Sequence, residues 1–361
     1  MSYHIDITRT RQSGLSAVDF DNIPFGRVFS DHMFIADYED GQWINPRIEP
    51  FARFSMHPAA MVLHYGQAIF EGMKASKSWD GKALLFRPED HARRFNYSAY
   101  RTCMPAFPEE LFLEALHTLV DLDKDWIPPQ EGSALYMRPY MFANDEFIGV
   151  KPSMKYKCII FTGPVGPYYP KPVSLIADEH YVRAAVKGGT GDVKVAGNYA
   201  ASLLPAKLAN DMGYDQVMWL DSNEFRYIQE VGTMNIFFVI DGTVVTPDLN
   251  GGILAGITRD SIIAILKDKG YALEERPITI DEVLEAYQAG KLQEVFGSGT
   301  AAVVAHVAKM SVKGVEMTLP PVEDRKIGEM VKQEINMLRA AKMEDTRGWI
   351  VPVKSYQLAD A

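Results

Sequence analysis

Apolar positions recur along this chain with two periods, and the switches between them predict mixed α/β structure. Ala83–Phe86 (ALLF) is a short apolar run expected to form a strand. Pro88 follows at once, in the first-turn position that proline favours, and opens a predicted helix through PEDHARRFNYSAYR. PEELFLEALHTLVDL spaces its apolar residues three and four apart, as an amphipathic helix does. SALYMRPYMF and KYKCIIFTG predict two further strands. The stretch 162–172, TGPVGPYYPKP, is too rich in Gly and Pro for a helix and argues against a central strand, so it is the expected domain boundary. The division expected is a smaller α/β domain over 1–165, a linker over 166–172 and a larger domain over 173–361.

Beyond the boundary, EFRYIQEVGTMNIFFVIDGTVVTP is rich in strand formers, and Asp241-Gly242 within it is a strong hairpin signal. LNGGILAGIT reads as a glycine-rich turn before a helix, RDSIIAILKDKG, with Thr258 as its expected cap and Gly270 past its end. A short strand over 272–277, a helix over 280–289 and a strand over 293–297 complete the pattern. The strands are too mixed in direction for a doubly wound sheet.

Of 361 residues, 47% are hydrophobic and 23% charged, enough apolar material for one large core or two ordinary ones. A net charge of −10 argues against nucleic acid or an anionic membrane as partner, since either favours a basic surface. The two cysteines, Cys103 and Cys158, lie far apart and outside any CxxC spacing, which points to a reducing compartment without disulfides or structural zinc. The first residues, MSYHIDITRTRQSG, lack the apolar core of a secretory signal, and nowhere do 18 apolar residues run together. A soluble, cytoplasmic protein is expected.

Five stretches carry candidate chemistry. In GGTGDVKVAGNYAASLLPAKLA, the spacing excludes a phosphate loop and leaves Lys194 in a glycine-rich approach to a helix expected to start near Asn198. Such a lysine is usually a solvated charge; desolvated, it becomes a nucleophile toward an aldehyde. In QEVGTMNIFF, Glu230 opens an apolar strand and, if buried, needs a cationic partner such as a protonated pyridine nitrogen. GIT at Gly256–Thr258 begins a predicted helix, where amide groups and the helix dipole favour a phosphate. FGSGTAAVV is expected to be a second small-residue turn between strand and helix, and Arg94 supplies a positive charge. HYGQAIFEGMKA, with Tyr65 and Phe70 flanking glycines, suggests a packed loop at a pocket wall. The eight histidines show no metal-ligand spacing, so no metal site is expected.

Singly these features are common. Together and in order, HYGQAIFEGMKA, FRPEDHARR, LYMRP, GPVGPYYP, KVAGNYAAS, EVGTMNIF, GGILAGITR and FGSGTAAVV closely resemble the branched-chain aminotransferases, fold type IV enzymes that depend on pyridoxal 5'-phosphate. DHMF at 31–34 adds an earlier match, and the resemblance covers most of the chain. It implies a two-domain α/β (α+β) fold, with a smaller amino-terminal domain and a larger cofactor-binding pseudo-barrel domain. It implies a homodimer, and amino-group exchange between L-leucine, L-isoleucine or L-valine and 2-oxoglutarate in a ping-pong cycle between pyridoxal and pyridoxamine forms.

Residue by residue, the resemblance implies that Lys194 carries the cofactor as a Schiff base and moves the proton at the substrate's Cα. Glu230 pairs with the pyridine nitrogen, and Tyr199 bonds the cofactor's phenolic oxygen. Arg94, the amides of Ile257 and Thr258, and Thr300 hold the phosphate. Thr300 and Ala301 offer amides to the substrate carboxylate. Phe25, Tyr65, Phe70, Tyr136 and Tyr168 surround the side chain, and Arg138 with nearby tyrosine hydroxyls receives the distal carboxylate of 2-oxoglutarate. Some relatives carry a CxxC redox pair just after GSGTA; Ala302 and Ala305 stand there in this chain, so thiol regulation of that kind is not expected. D-amino-acid aminotransferase and aminodeoxychorismate lyase share the lysine and glutamate logic, while EVGTMN, GPVGPYY and FGSGTA favour the branched-chain enzyme.

Overall fold

The computed structural model describes residues 3–166, 171–184 and 186–356. Its contacts group into two units, Met1–Tyr168 with Asn336–Ala361, and Tyr169–Ile335.

In the first unit a nine-stranded sheet runs in the order Asp6–Ile7, Gln42–Pro50, His32–Glu39, Tyr156–Val165, Ala134–Ala143, Met73–Lys77, Ala83–Phe86 and Ile350–Pro352, with Ala68–Phe70 also paired to Ala134–Ala143. Helices Pro88–Arg101 and Glu109–Leu122 form where the apolar period predicts them. Their inward residues Phe95 and Phe112 pack with Phe107, whose ring meets the edge of Phe34 on the sheet. Burying each such ring is worth roughly 1.5–3 kcal/mol.

The strand Tyr156–Val165 runs through Gly163 and Pro164, where the sequence argues against a central strand. Register explains why. His32–Glu39 pairs with this strand only over 156–161; beyond it the Ser30 amide bonds the Thr162 carbonyl, and from Gly163 to Val165 the strand ladder continues on one side alone. Proline is tolerated at such an edge. Gly163 is needed there, because a Cβ would stand 2.3 Å from the Val28 carbonyl oxygen.

The second unit holds another nine-stranded sheet, in the order Ile228–Val231, Gln216–Leu220, Val173–Ala177, Val303–Val312, Leu292–Gly299, Asn235–Ile240, Thr243–Thr246 and Leu273–Glu275, with Val315–Thr318 on Val303–Val312. Three of its pairings are parallel and the rest antiparallel, the mixture that the sequence predicts. Leu175, Met218, Ile236, Phe238, Val295 and Val307 belong to its core. Asp241 (φ 50°) and Gly242 (φ 80°) make the expected tight hairpin.

Three further expectations change. FGSGTAAVV joins two antiparallel strands, Leu292–Gly299 and Val303–Val312, rather than a strand and a helix, because the apolar run after the turn pairs back onto the strand before it. Helix Ile257–Asp268 is capped by Gly256 without a side-chain bond, and Thr258 lies buried inside its first turn. The end of the chain returns to the first unit: Ile350–Pro352 pairs with Ala83–Phe86, so 336–361 leaves the expected 173–361 domain and makes the first unit the longer one. Among the described residues no helix is long and apolar enough to cross a membrane.

Candidate active site

Lys194 stands just ahead of helix Ala196–Ala201, with Val195 as the N-cap residue. Buried Asn198 fixes the loop that carries it. Its amide nitrogen donates to the carbonyls of Thr190 (2.6 Å) and Val193 (3.0 Å), and its oxygen accepts from Thr190 Oγ1 at 2.7 Å. Gly191 lies so near other backbone that a Cβ would sit 2.1 Å from the Gly252 carbonyl oxygen. The glycines that resemble a phosphate loop therefore serve close packing, bringing the Lys194 loop against the turn before helix Ile257–Asp268. Lys194 Nζ donates to Tyr199 Oη at 2.9 Å.

Glu230 is buried in strand Ile228–Val231, and its partner there is Arg183, whose Nη1 donates to Oε2 at 3.0 Å. The Arg183 guanidinium also lies over the Tyr199 ring, 4.9 Å from its centre, so one cation touches both Glu230 and Tyr199. Arg183 Nε is buried and makes no hydrogen bond among the described residues. Asn235 Nδ2 lies 3.5 Å from Glu230 Oε1 and donates to the Leu254 carbonyl at 2.9 Å, while its oxygen occupies the place a Gly256 Cβ would need. Asn235 thus ties the glutamate to the turn that starts the helix.

These surroundings set the charges. Burial raises the Glu230 carboxyl above its ordinary range, against the pull of Arg183, the Leu254 amide and Lys194. Burial would also raise the Tyr199 phenol, but Lys194 and Arg183 override it and hold the phenol below the usual tyrosine value.

The amides of Ile257 and Thr258 open their helix ahead of its first intrahelical bond, from Asp260 N–H to the Gly256 carbonyl. This is the end where an anion is favoured. Thr300 and Ala301 form the turn after strand Leu292–Gly299, next to Ser298, whose buried hydroxyl has no hydrogen bond among the described residues. One unit therefore holds a lysine, a phenol, a buried acid and a helix amino terminus. That donor set fits pyridoxal phosphate, which presents an aldehyde, a phenolic oxygen, a basic ring nitrogen and a phosphate.

Other expected residues belong to the first unit. Arg94, on helix Pro88–Arg101, donates from Nε and Nη2 to Glu71 at 2.7 and 2.8 Å, and His91 bonds the same carboxylate at 2.9 Å. Arg94 and His91 hold Glu71 well below the carboxylate range despite complete burial. Phe25, Tyr136 and Arg138 line one cavity of about 190 Å³. Phe25 meets Tyr136 edge-on at 5.7 Å, Arg138 donates to Tyr136 Oη at 2.9 Å, and the Arg138 guanidinium lies over Phe70 at 4.6 Å. Gly72 makes room for the Tyr136 hydroxyl, which would be 2.1 Å from a Cβ there. Tyr65 is exposed beside His64 and does not line that cavity, and Tyr168 lies outside the described residues. Glu71, Arg183 and Asn235 are not among the residues expected from sequence. Glu71 carried one visible signal, a carboxylate directly after the apolar run AIF.

Comparison with known proteins assigns the chain to a family. The family model described as amino-transferase class IV matches residues 68–310. The branched-chain-amino-acid aminotransferase 2 of Bacillus subtilis (strain 168) is 47% identical over 353 residues, 97% of this chain and 96% of that protein. The branched-chain-amino-acid aminotransferase of Mycolicibacterium smegmatis is 42% identical, covering 91% of this chain and 92% of its own. Among solved structures, the branched-chain amino acid aminotransferase of Escherichia coli superposes with a TM-score of 0.73 at 27% identity, over 90% of this chain and 99% of that one. The branched-chain amino acid aminotransferase of T.th. with pyridoxamine 5'-phosphate gives 0.69 at 27%, over 88% and 98%. With its two α/β units, its lysine–tyrosine pair and its buried glutamate, this chain belongs to the branched-chain-amino-acid aminotransferases of the class IV aminotransferase family.

Proposed function

We propose that this protein uses pyridoxal 5'-phosphate to exchange the amino group between L-leucine, L-isoleucine or L-valine and 2-oxoglutarate. The observation that carries this reading is Lys194 bonded to Tyr199 at 2.9 Å, with one arginine joining Tyr199 to buried Glu230. When bound, the cofactor supplies an aldehyde that takes up the amino group and a ring that accepts the electron pair left at Cα. The chain's residues do the rest. Lys194 attaches the cofactor and moves the proton between Cα and the cofactor carbon, a task suited to an amine on a flexible stem. Tyr199 donates to the phenolic oxygen, with the Arg183 guanidinium over its ring. Glu230 holds the ring nitrogen. Arg94, the amides of Ile257 and Thr258, and Thr300 hold the phosphate, which fixes the ring while the lysine linkage is exchanged. Thr300 and Ala301 receive the substrate carboxylate.

Phe25, Tyr65, Phe70, Tyr136 and Tyr168 form the apolar wall for a branched side chain, worth roughly 1.5–3 kcal/mol on burial. Arg138 serves the other half-reaction. Its Nε is buried and makes no hydrogen bond among the described residues, leaving a donor for the distal carboxylate of 2-oxoglutarate. Steady-state assays with leucine and 2-oxoglutarate test both points. Wild type turns over the pair, and Arg138→Met raises the KM for 2-oxoglutarate at least about tenfold, with the leucine half-reaction kept. No turnover of the pair by wild type contradicts the activity, and unchanged 2-oxoglutarate kinetics in the variant removes Arg138 from the site.

The working molecule in this proposal is a homodimer in the cytoplasm. Leu203, Leu204, Leu208 and Met212 expose a row of apolar side chains on and just after helix Leu203–Asp211, a surface suited to a second copy, and both cysteines are free thiols. Nucleic acid and membrane are not its partners, in keeping with its acidic charge.

A further inference from the structure

We propose that Arg183 is a positioning residue that keeps Glu230 in the carboxylate form, so that the proton shared with the cofactor's ring nitrogen rests on the nitrogen. The inference rests on the reading of Glu230 as the group facing that nitrogen. It goes beyond it by assigning the state of the pair to a third residue.

A buried glutamate and a pyridine nitrogen share one proton in either of two ways, as acid and pyridine or as carboxylate and pyridinium. Only the second makes the ring a strong electron acceptor. Burial favours the first, because it penalises the charged acid. The groups near Glu230 that oppose burial are Arg183, the Leu254 amide and Lys194, while Asn235 offers an amide at 3.5 Å. Of these, Lys194 is committed to Tyr199 and to the reaction, and the two amides are neutral. Arg183 is the cation in direct contact, at 3.0 Å, with a side chain only 7% exposed. A charge touching the carboxylate acts on it more strongly than on a group one hydrogen bond further away, so it lowers the acid more than the ring nitrogen. The proton moves to nitrogen.

Arg183 also lies over Tyr199 and lowers that phenol. A guanidinium suits both contacts at once, since its planar fork bonds the acid while its face covers the ring. Arg183 comes from the loop after strand Val173–Ala177, 47 residues from Glu230 in sequence.

The test uses the holoenzyme loaded with pyridoxal phosphate carrying 15N in the ring, and the apoprotein read by infrared difference spectroscopy against Glu230→Gln. Wild type and Arg183→Lys are expected to show a pyridinium nitrogen shift, and Arg183→Gln a shift toward neutral pyridine. In the apoprotein, Arg183→Gln is expected to raise the midpoint of the Glu230 carboxyl by at least about one pH unit. Arg183→Met supplies a second neutral variant should the glutamine protein fail to fold or load. A neutral variant whose ring nitrogen is as protonated as in wild type overturns the proposal, even if it has lost stability or activity. A neutral ring nitrogen in wild type itself overturns the reading of Glu230 and takes this inference with it.

Discussion

Glu71 and Glu230 are both buried carboxylates beside an arginine, yet their surroundings drive them in opposite directions. Glu71 receives two bonds from Arg94 and one from His91, and stays ionised far below the ordinary range. Glu230 has a single arginine contact, which opposes the upward push of burial without cancelling it. For Glu71 a stability consequence follows. Its folded-state pKa lies below the unfolded value of about 4.3, so its contribution is present above that pH and is lost as the pH falls below it. Glu71→Ala, which strands Arg94, is expected to cost about 3–5 kcal/mol at pH 7. The gap from wild type should narrow below about pH 4. Thermal melts at pH 7 and pH 4 read this, and a pH-independent gap would show that the lost packing, not the ion pair, matters. Lys194, Tyr199 and Glu230 are legible in sequence because each lies in a distinctive string. Arg183 and Asn235 are not, and Glu71 shows only as a carboxylate beside an apolar run, because their value comes from partners 47, 19 and 23 residues away that only folding brings near.

Elements follow the local apolar pattern closely where that pattern alone sets their bounds. Ala83–Phe86 and Pro88–Arg101 have the bounds that ALLF and Pro88 suggest, and the Asp241-Gly242 hairpin forms as expected. The departures all depend on pairings that a local pattern does not carry. Pro164 sits in a strand because its outer neighbour stops at Phe161, and the GSGTA turn joins two strands because Val303–Val312 pairs back on Leu292–Gly299. Helix Ile327–Arg339 is a further case. Its start is held from a distance by Glu294, from strand Leu292–Gly299, which accepts from the amides of Lys326 (2.8 Å), Ile327 (2.9 Å) and Gly328 (2.8 Å). A buried carboxylate on a helix amino terminus offsets both the unpaired amides and the dipole. Glu294→Ala is expected to destabilise by about 1–3 kcal/mol and to speed amide exchange at 326–328. Unchanged exchange there would mean that water caps the helix equally well.

At the scale of the whole molecule, the chain crosses from the first unit to the second near residue 169 and returns near 336. The return is anchored by Arg339, buried with its guanidinium over Phe86, and by Ile350–Pro352 completing the sheet edge beside Ala83–Phe86. A three-residue strand is too short for its pattern to announce this, which is why the sequence suggests a simple two-part chain. The chemistry was legible far beyond the topology, since amino-group exchange needs a lysine, a phenol, an acid and a phosphate cup, and each leaves its own string. The most direct test of the account is an absorbance spectrum of the cofactor-loaded protein before and after adding L-leucine without any keto acid. The account predicts a visible band from the lysine-bound cofactor that converts to the shorter-wavelength pyridoxamine form, and no such starting band in Lys194→Ala. A band that ignores L-leucine and responds to D-alanine would contradict the substrate, and no band in wild type supplied with cofactor would contradict the enzyme.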